Sequence, residues 1–154
     1  MKLIQTTKTR LVFHVGQREK HSLLQVLSQY PRVGSAHHLL SKSGRLPDAE
    51  ENQQLLDESM AEQRADNKKQ LQALLADPRR FAHTETGARL SLSHAEVEWL
   101  LQVLNDIRVG SWIALGSPEQ KPTELTPANA PHFLAMEMAG YFQMHLLEGV
   151  GSET

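Results

Sequence analysis

The sequence predicts a mainly α-helical α+β fold, in which about four helices pack on a small antiparallel sheet. Short alternating stretches occur near the amino terminus and at residues 89–92, whereas longer stretches carry apolar residues at helical spacing. The chain has 154 residues, ordinary proportions of apolar and charged side chains, and no cysteine. These values favour one domain over residues 1–154, and they exclude a disulfide scaffold, a thiol nucleophile and a thiolate metal site.

The first two strands are expected in residues 3–15, where apolar and β-branched residues alternate on both sides of a turn. From Gly16 the apolar spacing becomes helical, and it continues as far as Pro31, which stops a helix. Residues 31–47 hold two prolines and two glycines around the His37–Leu40 insert. This composition is typical of a loop or a brief helix.

A long helix is expected from Asp48 to about Ala76. Asp48 with Glu51 three residues later has the pattern of a capping box, which marks the start of a helix. The middle of this helix, residues 62–70, is polar nearly all round. Such a middle indicates a helix that either bridges solvent or meets a polar partner.

Two further helices are expected in the second half of the chain. Ser93 with Glu96 has a second capping-box pattern and predicts a helix that follows the short strand and ends near Leu115. The last helix runs to about Glu148, and the two glycines after that position predict a frayed end. This helix is apolar nearly all round, which is typical of a helix buried centrally or in a subunit interface.

A strand–helix unit at about residues 11–30 recurs at about residues 88–115. A shift of 77 residues aligns Phe13 with Leu90 and superimposes two identical Leu-Leu-Gln-Val-Leu segments. Each segment follows a capping position and a glutamate three residues after it, so both units enter a helix directly from a strand. The repeat predicts that the two strands pair and that their helices lie on the same side of the sheet. Chance convergence of two amphipathic helices is the alternative.

Polar side chains interrupt the two most apolar helices. Asn105, Arg108 and Trp112 form one row at i, i+3 and i+7, and Glu137 is the only acid between residues 132 and 147. A carboxylate in an apolar helix needs a partner, and Arg108 is the obvious candidate in the other apolar helix. We therefore expect an Arg108–Glu137 ion pair that orients the two helices.

The alternative for these residues is a small anion-binding pocket, completed by His132 or His145. In the same stretch, Gly110 and Ser111 lower the helix propensity of residues that otherwise form a regular helix. Such a pair marks either a kink or the close approach of another part of the chain.

Charge is distributed unevenly along the chain. Residues 1–47 carry eight Lys or Arg and one acid, a balance of +7, whereas residues 48–154 have a balance of −9 and the whole chain −2. Either the basic unit packs on an acidic helix of the same chain, or it forms a surface for nucleic acid or an acidic partner. The residues of such a surface would be Lys8, Arg10, Arg18 and Lys20.

Other site classes find no support in the sequence. The eight histidines include no His-Glu-x-x-His motif and no pair at i, i+4, so no metal site is expected. There is no glycine-rich phosphate loop and no Gly-x-Ser-x-Gly motif, so no cofactor is expected either. No apolar stretch approaches the ~18 residues of a membrane span, and the start lacks the apolar region of a signal peptide. We expect a cytoplasmic protein that does not enter membranes.

Three features together resemble a bacterial family known only as a domain of unknown function. They are Arg45–Ala49, the long polar helix after it, and the pattern Leu-Ser-x-x-Glu…Leu-Leu-x-x-Leu-Asn-Asp-Ile-Arg at Leu92–Arg108. The family is common in actinobacteria and is often encoded near the Clp protease adaptor. The resemblance covers most of the chain loosely, is most specific at Leu104–Arg108, and departs at Trp112 and residues 129–133. The resemblance implies a cytoplasmic helical protein. The family has no established catalytic residues that could be assigned to this chain.

The favoured function is that of a non-enzymatic regulatory or protein-interaction protein, forming a homodimer through the long helix or the last one. The alternative is a nucleic-acid-binding regulator that uses the basic residues 1–47. A small-ligand binder or enzyme centred on Arg108 and Glu137 is less favoured, and an open, preformed pocket at that place would support it. Whether the chain is an enzyme stays open at the level of sequence.

Overall fold

The described part of the chain alternates pairs of strands with pairs of helices, in the order ββααββαα. The computed structural model describes residues 1–33 and 48–152. The expected loop or brief helix around His37–Leu40 lies outside the described residues. The elements are β1 (Lys2–Thr6), β2 (Arg10–Gly16), α1 (Gln17–Leu27), α2 (Ala49–Ala76), β3 (Phe81–Thr84), β4 (Gly87–Ser93), α3 (His94–Ala114) and α4 (Ala130–Gly151).

The four described strands form one antiparallel sheet in the order β1-β2-β4-β3. The two strands of the repeat, β2 and β4, are the central pair, and Phe13 lies opposite Leu90. The predicted pairing of these strands is therefore confirmed. The α+β class is also confirmed, with helices forming the larger part of the described chain.

The edge strand β3 was not predicted from the sequence. Its four residues, Phe-Ala-His-Thr, are too few for a clear alternation, and it is held by a hairpin that turns at residues 85–86. Gly87 begins β4, and its φ of 146° is a backbone conformation that residues with a side chain rarely adopt. A Cβ at this position would lie 2.0 Å from the backbone oxygen of Val15 on the neighbouring strand, so glycine is required here.

The 77-residue shift also relates the two halves of the fold. In the first hairpin, Thr6 lies opposite Leu11. In the second, His83 lies opposite Ala88, and each number is 77 higher. The helices α1 and α3 also begin 77 residues apart. Because β2 and β4 cross at equivalent residues, the sheet has an approximate two-fold axis at its centre.

Both helices that follow the central strands begin with the predicted capping glutamate. The Ser93 hydroxyl accepts a hydrogen bond from the backbone N–H of Glu96 at 3.1 Å, and the Glu96 carboxylate accepts one from Ser93 N–H at 2.9 Å. In α1 the Glu19 carboxylate accepts from Gly16 N–H at 3.0 Å, although glycine has no side chain to return the bond. The chain therefore turns from strand to helix in the same way in both halves.

One face of the sheet carries the hydrophobic core. Residues of β2 and β4 that point to this face pack with residues of α1 and α3, so the two repeat helices lie on the same side, as predicted. The Phe13 ring fills the space beside Gly149 of α4, where a Cβ would lie 2.7 Å from the ring. The main contributors are Leu11, Phe13, Val15, Leu23, Leu27, Leu90, Leu92, Leu100, Leu104 and Phe142.

The polar middle of α2 is mostly exposed and meets polar partners through Asn67. Buried Asn67 donates to the Tyr30 hydroxyl at 3.0 Å, and it accepts from the Trp99 indole N–H and from the Gln63 amide, each at 3.0 Å. The bonds to Trp99 and Tyr30 attach α2 to α3 and to the segment that follows α1. The predicted capping box at the start of α2 is wrong, because Asp48 has a left-handed backbone with a φ of 57° and its side chain caps nothing.

The last helix is longer than predicted and is buried on one side. It continues to Gly151 instead of fraying after Glu148, because Gly149 packs against the core at Phe13. The buried side consists of Ala135, Ala139, Phe142, Leu146 and Gly149.

Candidate functional site

The helices α3 and α4 pack side by side. An open cleft of about 650 Å³ lies along the surface where they meet. Gly140 of α4 lines this cleft, and a Cβ there would make an ordinary van der Waals contact with the Arg108 Cδ atom at 3.8 Å. The amide of Gln143 donates to the backbone oxygen of Leu101 at 3.3 Å and links the helices further along. The walls of the cleft therefore come from both helices, and Gly140 is among its lining residues.

Three of the four residues in the predicted polar cluster line this cleft, namely Arg108, Trp112 and Glu137. Asn105 is exposed one turn earlier on α3 and does not line it. In the predicted row on α3, only the two carboxyl-terminal residues, Arg108 and Trp112, therefore line the cleft beside α4. An open cleft is present where an Arg108–Glu137 ion pair was expected.

The expected Arg108–Glu137 ion pair is wrong. Glu137 Oε1 lies 2.9 Å from the Nζ atom of Lys121, and the Glu137 side chain is 39% exposed. Arg108 is exposed and forms no ion pair with any described residue. The prediction assumed that α4 is buried all round. Because Glu137 lines an open cleft, it keeps water and needs no buried partner.

The apolar wall of the cleft is built around Trp112. Its indole N–H donates to the backbone oxygen of Pro118 at 2.9 Å, which ties the segment after α3 to the helix. With that bond made, the polar atom of the ring is satisfied and the rest of the indole is available for apolar contact. Val109 on α3 and the methionines 136 and 144 on α4 complete the wall.

A polar cluster around Arg32 was not predicted from the sequence. Asp106 Oδ1 accepts from the backbone N–H of Arg32 at 2.7 Å, and the guanidinium lies 3.0 Å from both Ser111 Oγ and His132 Nδ1. A Cβ at Gly110 would lie 2.4 Å from the Cβ of Arg32. Gly110 and Ser111 therefore mark a close approach of the chain. The sequence of α3 does not indicate which segment of the chain packs against Gly110.

Neither histidine of the predicted anion pocket lines the cleft. His132 contacts Arg32, as described above. The ring of His145 packs edge-on against Tyr141 with centroids 4.4 Å apart, and its Nδ1 lies 3.6 Å from a Glu148 oxygen. Within the described residues, no group of three histidines or acids is placed to hold a metal ion.

The four residues of the predicted basic surface do not lie together. Lys8 and Arg10 are at the start of β2, whereas Arg18 and Lys20 follow its end. A seven-residue strand separates the two pairs by about 20 Å. The guanidinium of Arg10 is also engaged, since it donates to the hydroxyl and the backbone oxygen of Ser91 at 2.8 and 2.7 Å.

An ion network joins the start of α3 to the second hairpin. Arg80 lies 2.8 Å from a Glu96 oxygen and 3.0 Å from an Asp77 oxygen. Hydrogen bonds from Arg79 lower the pKa of Asp77 to about 2. Burial raises the pKa of Glu96, but hydrogen bonds from Ser93 and Arg80 outweigh it, so this pKa lies below its ordinary value. The network fixes the orientation of α3 relative to the sheet.

No protein-family model matches this chain, and neither does any curated protein or solved structure. The family resemblance centred on Leu104–Arg108 therefore stays a prediction. Within the described residues, no helix has the length and apolar character needed to cross a membrane.

Proposed function

We propose that this chain is a cytoplasmic, non-enzymatic regulatory protein that acts through protein–protein interaction, with an apolar stripe on α4 as its docking surface. The stripe is defined by Met144, Leu147 and Val150, which recur every three residues and so share one side of the helix. Their exposed fractions are 47%, 57% and 37%. This exposure is the observation that carries the proposal.

Single apolar side chains are common on protein surfaces, but neighbouring ones indicate an interaction site. The three stripe residues are neighbours on the helix surface, and each belongs to a residue type that is usually buried. The opposite side of α4 already packs on the core. Covering the stripe would therefore bury α4 on both sides, which agrees with its almost wholly apolar sequence.

The occupant that we propose is a second copy of this chain. The stripe contains no charged residue, so two copies of α4 related by a two-fold axis would place apolar side chains against their equivalents. Such an isologous contact needs no other partner surface. The net charge of −2 is small, so long-range repulsion between two copies is weak.

Light scattering coupled to size-exclusion chromatography, over a range of protein concentrations, tests this proposal. We expect the wild-type chain to form dimers and Leu147→Glu to be monomeric, because a carboxylate in the interface would lose water without gaining a partner. Leu55→Glu is the matched control, since Leu55 is 58% exposed on α2, away from the stripe. It should leave the dimer unchanged.

Two results would contradict the proposal. A wild-type chain that stays monomeric at every concentration would show that a second copy does not occupy the stripe. Dissociation by Leu55→Glu, with Leu147→Glu still dimeric, would instead place the interface on the long helix α2.

A further inference from the structure

We infer that the cleft between α3 and α4 is a binding site for an apolar small molecule that carries a single carboxylate. The inference goes beyond the proposed dimer and does not depend on it, although the cleft and the stripe share Met144. It rests on the size of the cleft, the chemistry of its walls and one cation, Arg108, that has no carboxylate partner among residues 1–33 and 48–152.

The size and walls of the cleft suit an apolar ligand. Its volume of about 650 Å³ lies within the range of about 300–1,000 Å³ that small-molecule sites occupy. Trp112 provides a rigid flat surface on one side. Met136 and Met144 provide flexible side chains that adapt to an irregular apolar shape on the other.

The charges around the cleft select an anion. Lys121 and Glu137 compensate each other at 2.9 Å, so they contribute no net charge. Arg108 is left without a carboxylate among the described residues, and it stands beside the apolar wall. A guanidinium binds a carboxylate through two parallel hydrogen bonds, an arrangement that adds both affinity and orientation.

A monoanion fits this arrangement better than a phosphate group does. A phosphate monoester carries about −1.5 to −2 charges near neutral pH. With Arg108 as the one unpaired cation among the described residues of the cleft, part of that charge would remain uncompensated beside an apolar wall. A carboxylate is matched by Arg108 alone, and the apolar remainder of the molecule is left to contact Trp112 and the methionines.

Isothermal titration with three probes of equal chain length tests the inference, namely octanoate, octan-1-ol and octylammonium. We expect octanoate to bind once per chain and about tenfold or more tightly than octan-1-ol, because a charged hydrogen-bonded pair is added. Octylammonium should bind more weakly than octan-1-ol, because Arg108 repels it.

Three variants separate the contributions. Arg108→Gln should reduce the affinity for octanoate to that for octan-1-ol, whereas Arg89→Gln, which removes an exposed cation on β4, should change nothing. Gly140→Leu should abolish binding of all probes, since the added side chain fills the cleft and meets only the Arg108 side chain at first contact. Circular dichroism confirms that each variant is folded before titration.

Each titration is repeated on Leu147→Glu, so that loss of the dimer and loss of ligand binding are observed separately. Equal affinities of the wild-type chain for octanoate and octan-1-ol, an undiminished octanoate affinity in Arg108→Gln, binding to Gly140→Leu, or no heat of binding at millimolar octanoate would each overturn the inference. The expected pattern, with octanoate preferred and the preference lost only with Arg108, would establish the site.

Discussion

Phe13 and Leu90 lie directly opposite each other on the central strands β2 and β4, and the 77-residue shift aligns the same two residues. When a repeated strand pairs antiparallel with its own copy, equivalent residues meet at the crossing point. The shared register of the two hairpins follows from the same symmetry. This geometry is what a duplicated ββαα unit would produce, and the duplication itself stays a prediction.

The two halves differ in how their second helices meet the sheet. Gly149 of α4 packs against the Phe13 ring. The residue 77 positions earlier is Gln72 of α2, which is exposed. The strands, α1 and α3 therefore follow the two-fold symmetry. The helices α2 and α4 depart from it, because equivalent positions on them have different contacts.

Gly110 of α3 and Gly140 of α4 should respond in opposite ways to alanine. Gly110→Ala should lower the free energy of unfolding by about 1–3 kcal/mol, because its Cβ would lie 2.4 Å from Arg32 and the chain must shift. Gly140→Ala is the matched control, with no atom nearer than 3.8 Å. It should stabilise by about 0.5–1 kcal/mol through helix propensity. Urea unfolding of both variants measures this, and equal effects would contradict the close approach at Gly110.

Removal of the buried Asn67 amide should weaken the attachment of α2. Asn67→Ala leaves the Tyr30 hydroxyl and the Trp99 indole without their partner, at a cost of about 1–3 kcal/mol in unfolding free energy. Asp66→Ala changes an exposed neighbour on the same helix and should be nearly neutral. Chemical denaturation followed by tryptophan fluorescence distinguishes them. A neutral Asn67→Ala would show that the helix is held by apolar contacts alone.

Stability should depend on pH through Glu96. Its pKa in the folded protein is below the ordinary value of 4.5, so its stabilising effect is complete above that pH and is lost as the pH falls through the folded pKa. The wild-type chain should therefore exceed Glu96→Gln in unfolding free energy at neutral pH, and the difference should shrink on acidification. Unfolding curves across the acidic range test this. A difference that stays constant with pH would exclude Glu96 as the source.

The cap of α3 should tolerate glycine better than alanine. Ser93→Ala removes the hydroxyl that accepts from Glu96 N–H and should cost about 1 kcal/mol. Ser93→Gly should cost only a few tenths of a kcal/mol, and the equivalent position in α1 is already Gly16. Thermal unfolding of the two variants ranks them. The reverse order would contradict the expected preference for glycine over alanine at this N-cap position.

Local patterns accounted for much of the fold because they act over a few residues. The glutamates at positions 19 and 96 contact the backbone three residues earlier, and that spacing is visible in the sequence. The pairing of β2 with β4 also followed from the repeat. The short strand β3 was invisible because its four residues contain no clear period, and it exists only through pairing with β4.

The sequence by itself determined the helices, the central strand pair, and the presence of Arg108, Trp112 and Glu137 on two helices that face each other. Only the tertiary structure decided that Glu137 pairs with Lys121 and that Arg108 has no ion-pair partner in the part of the chain that the structure describes. The physical reason is that an ion pair depends on the rotation of each helix about its axis and on the path of the segment between them. Helical periodicity records which residues share a face, but it does not record whether another element covers that face.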